Sequence, residues 1–181
     1  MKRLALWVLA LGLAAAGLRA GAQPYAPPTA PVEDVAGWES TRWGMTPDEL
    51  AVALGSRFVV TRNQIGLLTY SVSDATVGGV SFTPVMLTIS PGRGLTEVRL
   101  GTGWVNHARN DEAAAIEAAM RNAYGPPHSV QINEEPGPDG VAAARNVGWN
   151  FPTTSIQLRH WYSTTPTGVQ DLLSISYLKP R

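Results

Sequence analysis

The sequence predicts an α+β fold in which an antiparallel sheet carries helices on one face. Three observations predict it. Two segments place apolar residues at helical spacing between capping signals. The remaining folded chain alternates apolar and polar residues in short runs broken by Gly and Pro turns. Helix followed by about four strands occurs twice, which suggests two tandem units, residues 38–104 and 105–178.

The first helix has a well-marked start. Thr46 is a good N-cap, Pro47 suits the first helical position, and Glu49 completes a capping box in which side chain and backbone satisfy each other. Met45 can staple onto Leu50. Leu50, Ala53 and Leu54 form the apolar stripe, and Gly55 can take the left-handed conformation that ends a helix. The second helix is predicted over residues 111–124. Asn110 is its expected cap, and Asp111 and Glu112 complement the positive end of the dipole. Ala113, Ile116, Met120 and Ala123 make its stripe, and Gly125, Pro126 and Pro127 stop it.

Alternation marks the strands. Val85, Leu87 and Ile89 share one face, as do Val98 and Leu100, and Val147, Trp149 and Phe151. Ile156, Leu158, His160 and Tyr162 form another such set, and Leu173, Ile175 and Tyr177 the last. Residues 58–61, 67–72 and 129–132 are shorter strand candidates. Gly78-Gly79, residues 92–94 and residues 165–168 carry turn chemistry. Residues 133–140, rich in Glu, Pro and Gly, read as an exposed acidic turn.

The amino terminus reads as a secretory signal over residues 1–22. Lys2 and Arg3 precede an apolar run over residues 4–18, and Ala20-Gly21-Ala22 offers the small residues signal peptidase needs. The run is short for a membrane span, which needs about 20 residues, and Arg19 ends it. Residues 23–37, with Pro24, Pro27, Pro28 and Pro31, read as an extended tether, and residues 38–181 as the folded domain. The expected location is the periplasm, or else the exterior of the cell.

Charge and cysteine narrow the function. The chain has 14 basic and 14 acidic residues, and cleavage removes Lys2, Arg3 and Arg19, so the mature chain is net acidic by three. A nucleic-acid partner calls for a basic face, so that class is set aside. Cysteine is absent, which excludes thiol catalysis, thiolate metal sites and iron–sulfur clusters. A domain of roughly 140 residues is large enough to be stable without disulfides.

The run from Trp43 through Gly44, Met45, Thr46, Pro47, Glu49 and Leu50 to Leu54-Gly55 resembles the opening of small bacterial envelope proteins. It is similar to the small lipoprotein of the outer-membrane β-barrel assembly machine and to the β-lactamase inhibitory protein. The resemblance implies an antiparallel sheet after the helix, a tandem of two such units, and binding or scaffolding rather than catalysis. Ser56-Arg57 stands where that group often has proline, and both the lipobox cysteine and the inhibitor's cysteine pairs are missing. No partner and no functional residue carries over.

No catalytic motif is present. His107, His128 and His160 lie in three separate segments without zinc-hydrolase spacing. No G-x-S-x-G accompanies Ser129, Ser155 or Ser163. Glu134 and Glu135 sit among Pro and Gly residues, as in a solvated loop rather than a glycosidase cleft. Residues 92–94 lack the remainder of a phosphate loop. The expectation is therefore no catalytic residue, no metal and no cofactor.

Tryptophan is more informative. Trp43 and Trp149 read as core. Trp161 alternates with His160 and Tyr162, so it shares a face with Gln157 and Arg159, opposite Ile156 and Leu158. Arg159 and Trp161 together have the composition of a binding hot spot, unless Trp161 stacks beneath a loop. The leading function is a periplasmic binding or scaffold module contacting an envelope protein partner through Arg159 and Trp161. A hydrolase with an unrecognised site is the alternative, and a small-ligand carrier a third.

Overall fold

The computed structural model describes residues 33–64, 66–137 and 140–180. The expected signal and most of the tether lie outside the described residues. Asp34 accepts hydrogen bonds from the Thr153 amide (3.0 Å) and hydroxyl (2.8 Å). Desolvation opposes ionisation of the Asp34 carboxyl, but those two bonds and a third from the Val35 amide hold it below its ordinary range.

The fold is mixed α+β. Two α-helices occur among the described residues, α1 (Pro47–Leu54) and α2 (Asn110–Tyr124), with a 3-10 turn over Gly55–Arg57 after α1. The strands are β1 (Phe58–Arg62), β2 (Leu68–Val72), β3 (Ala75–Val77), β4 (Val80–Phe82), β5 (Val85–Ser90), β6 (Gly94–Gly101), β7 (Ser129–Gly137), β8 (Gly140–Asn150), β9 (Ser155–Thr165) and β10 (Gly168–Leu178). Eight of them form one antiparallel sheet in the order β1-β2-β5-β6-β10-β9-β8-β7. In each half the strands run in sequence order from edge to centre, and β6 meets β10 at the seam.

The capping box at α1 forms as its residues dictate: the Glu49 amide donates to Thr46 Oγ1, and the Thr46 amide donates to Glu49 Oε2 at 2.8 Å. Gly55 ends α1 at φ 58° and ψ −135°. The positive φ is as expected, but that ψ lies outside the left-handed helical basin, in a region open almost only to glycine. Gly125 ends α2 in a similar conformation, φ 81° and ψ −168°.

Several expectations need correction. Asn110 is the first helical residue of α2 rather than its cap; Arg109 holds the cap position without a side-chain cap. Its amide donates instead to Asp171, a residue on β10. Ala123 is exposed, and the half-buried Tyr124, one turn beyond Met120, continues the stripe in its place. Residues 133–137 are not a turn: β7 runs on to Gly137 and pairs residue by residue with β8, leaving only two residues between the strands. The β3–β4 hairpin has no sequence signal beyond its Gly78-Gly79 turn. It forms a separate two-stranded unit against α2. A side chain at Gly78 would place Cβ 2.5 Å from the Ala115 carbonyl oxygen, so only glycine lets the hairpin tip approach the helix.

One face of the sheet is buried. Val72, Val85, Leu87, Val98, Leu100, Val147, Trp149, Ile156, Leu158, Leu173, Ile175 and Tyr177 join Leu50 and Leu54 of α1, and Ala113, Ile116 and Met120 of α2, in a single hydrophobic cluster. Burying each large apolar side chain contributes about 1.5–3 kcal/mol. Trp149 is fully buried and donates Nε1–H to the Gly125 carbonyl at 2.9 Å. Trp43 is half-buried and donates to the Thr154 hydroxyl at 2.7 Å.

Candidate functional site: the open face of the sheet

On the opposite face of the same strands most side chains are exposed or half-buried, although Ser71 and Ala144 are buried. On β9 burial alternates: Ile156, Leu158 and His160 are buried, whereas Gln157 and Arg159 are exposed and Trp161 is half-buried. Register carries the open face sideways. Arg159 lies between Asn146 of β8 and Ser174 of β10, and Trp161 between Ala144 and Leu172. Further across are Glu97 and Arg99 of β6 and the exposed Met86 and Thr88 of β5.

The two sequence-predicted residues, Arg159 and Trp161, therefore share the open face as neighbours on one strand. Trp161 does not stand alone. Trp104, in the segment between β6 and α2, meets it edge-on with ring centroids 4.7 Å apart and planes at 88°. Trp104 remains 60% exposed. The edge of one ring on the face of the other is the favoured quadrupole geometry. The sequence gives no sign of this role for Trp104, because no strand alternation governs that segment.

Charge on this face is uneven. Arg99 is paired with Glu97 at 2.6 Å. Arg159 is exposed and has neither an ion-pair nor a hydrogen-bond partner among the described residues. Beside it, Ser129, Gln131, Asn146, Gly148, Asn150 and Gln157 line a cleft of about 250 Å³ furnished with neutral amides and hydroxyls. Gly148 leaves room there for the Ser129 side chain, since a Cβ would lie 2.6 Å from its Oγ.

A buried polar node holds the Trp104 segment down. Asp171 is fully buried; its Oδ2 is 2.8 Å from His160 Nε2 and accepts the Arg109 amide at 3.1 Å. Its backbone exchanges hydrogen bonds with Val105, the residue after Trp104, at 2.9 and 3.0 Å. Asp171 Oδ1 has no partner among the described residues. No hydroxyl of the described residues hydrogen-bonds the His160 ring. Alternation places His160 on the buried face but leaves Asp171 unmarked, although it lies two residues before Leu173 on the same face of β10.

The other candidates stay apart. His107 is an exposed residue of the segment after β6, and His128 accepts the Asn150 amide on Nδ1 at 2.8 Å. Among the described residues no three His, Asp or Glu side chains are grouped so that they could hold a metal. Glu134 and Glu135 are consecutive on β7 and so point to opposite faces. No helix of the described residues is long and apolar enough to cross a membrane.

A second ion-pair cluster ties α2 to β8. Glu117 accepts from Arg145 at 3.0 Å and from Arg121 at 2.7 Å. Burial works against its ionisation, but the two guanidinium groups together hold the carboxyl below its ordinary range. Tyr177 lies with its hydroxyl 3.2 Å from that of Tyr124, and burial first, then that neighbour, pushes it well above the ordinary tyrosine value. No family model, curated protein or solved structure matches the chain, and the open face is the feature on which a functional reading rests.

Proposed function

We propose that the chain is a non-enzymatic binding or scaffold module that holds a protein partner of the cell envelope against the open face of its sheet. Arg159 and Trp161 are the docking residues, with Trp104 extending the aromatic surface. The observation that carries this reading is an unpaired guanidinium beside a partly exposed tryptophan pair on an uncovered sheet face. Aromatic and Arg side chains dominate binding hot spots, and an unpaired Arg selects a carboxylate. The partner surface is therefore one that presents Asp or Glu next to an apolar side chain.

The same reading covers origin and place. Residues 1–22 act as a cleaved signal, and the mature chain works in the periplasm or outside the cell, without nucleic acid, cofactor or stable membrane insertion. The two halves are tandem helix-plus-four-strand units, supported by their matching edge-to-centre strand order and by the glycine with extended ψ that ends each helix. Both helices cover the buried face, supported by the shared core cluster. The likeness of the α1 opening to small envelope binding proteins favours the same class.

The test compares the wild-type chain with the double variant Arg159→Ala, Trp161→Ala. Immobilised wild type should retain a discrete protein from the envelope fraction of the producing cell, less strongly as salt rises. The double variant should remain folded and lose that protein. Undiminished retention by a folded double variant overturns the proposal.

A further inference from the structure

Among the described residues the sheet has two unpaired edges, β1 and β7, and they differ. β1 is five residues long and has Arg57 just before it and Arg62 at its end. β7 is nine residues long and pairs with β8 alone in the sheet. Natural edge strands are usually blunted by charge, proline or short length. In β7 those devices appear only in the second half, as Glu134, Glu135 and Pro136. The first half, Ser129, Val130, Gln131, Ile132 and Asn133, has no charge and no proline.

That half is also apolar where it should not be. Val130 and Ile132 lie on the helix side of the sheet, opposite Val147 and Arg145, yet they are 44% and 59% exposed. The Arg145–Glu117 ion pair joins α2 to β8, the neighbouring strand.

We propose that β7 is a homodimerisation edge, on which a second copy of this chain adds its own β7 antiparallel about a two-fold axis at Gln131. The stretch itself argues for this occupant. Pro127 bounds it on one side and Glu134 on the other, and Gln131 lies near its middle. Pairing about Gln131 sets Val130 against Ile132 of the second copy, twice, on the helix side. It sets Ser129 against Asn133, twice, and Gln131 against itself, on the open side. Every pair is matched in polarity, as cross-strand partners should be, and no like charges oppose. Sliding the centre three residues toward the C terminus would set Glu134 against Glu134, so charge disfavours that register. An isologous contact of this kind closes on itself and removes one exposed edge from each copy. It joins the two sheets into one continuous sheet, with both Arg159 and Trp161 surfaces on the same side. This inference does not rest on the proposed function, although Ser129 and Gln131 of this edge also line the cleft beside Arg159.

The absence of cysteine provides a register-specific test. Across a two-fold at residue 131 the Cα atoms stand about 4.5–5.5 Å apart, inside the roughly 4.4–6.8 Å window for a disulfide. Gln131→Cys should therefore give a covalent dimer under mild oxidation. Ser129→Cys should not, because its two copies would be displaced by about 13 Å along the strands. In sedimentation equilibrium the purified wild-type chain should show a weak, concentration-dependent dimer. Ile132→Lys should be monomeric, with the near-ultraviolet circular dichroism and thermal unfolding of wild type. A wild type that stays monomeric at the highest attainable concentration overturns the proposal. So does equal cross-linking from both cysteine positions, or a dimer that persists in Ile132→Lys.

Discussion

Asp171 is shielded from solvent and receives hydrogen bonds from His160 and from the Arg109 amide, which joins β10, β9 and the start of α2. Removing it leaves two buried groups without partners, at about 1–3 kcal/mol each. Asp171→Ala should therefore lower the unfolding free energy by about 3 kcal/mol in denaturant titration. Because the Asp171 side chain also holds the Arg109 amide, at the end of the segment that carries Trp104, the same change should loosen Trp104 and alter tryptophan fluorescence before global unfolding. Trp161 provides the contrast. It is half-buried against Trp104, an edge-on pair that contributes about 0.5–1.5 kcal/mol beyond area burial. Trp161→Ala should cost about 1–2 kcal/mol by that scale, well under the ~3–5 kcal/mol expected for the fully buried Trp149→Ala. Near-equal losses at the two positions would make Trp161 a core residue and remove it from the docking surface. Alternation alone places Arg159 and Trp161 on one face. It cannot reveal Trp104, which reaches that face from an irregular segment, or Asp171, whose partners are distant in sequence.

At the scale of the element, α1 is legible because its whole start is encoded in four consecutive residues from Thr46 to Glu49. Thr46→Ala should cost about 1 kcal/mol, read as a lower midpoint in denaturant. At Gly55 a Cβ would meet nothing within 4 Å, so substitution is opposed by backbone conformation rather than by crowding. Gly55→Val should then destabilise more than Gly55→Ala, because β-branching is least compatible with positive φ. Unfolding midpoints equal to wild type would show that the helix end tolerates a side chain. The start of α2 is not legible because its cap comes from tertiary structure, through Asp171, and local sequence carries no trace of that. The length of β7 is hidden for a related reason: Glu, Pro and Gly favour a turn locally, but pairing with β8 extends the strand. Glu117 makes a pH prediction at this scale. Its folded-state pKa is depressed, so its contribution is fully present above the unfolded value of about 4.3 and is lost as pH falls through the folded value. Glu117→Gln should flatten the loss of thermal stability on acidification below about pH 4.3. An unchanged acid limb would show that the α2–β8 ion pairs contribute nothing to it.

For the whole molecule, the alternation of helix and strands makes the α+β class and the antiparallel sheet readable. Strand order is not, because pairing between β6 and β10 depends on residues some 75 apart that carry no mutual signal. That seam is what makes one broad open face out of two half-sheets. The most direct test of the central claim is site-specific photocross-linking in the producing cell. A photoreactive phenylalanine analogue replaces Gln157, which is exposed on the open face beside Arg159, or Val52, which is 86% exposed on α1. Position 157 should give a discrete adduct with a second protein, lost when Arg159→Glu is added, and position 52 should give no such adduct. No adduct from position 157, or the same adduct from both positions, would contradict that claim.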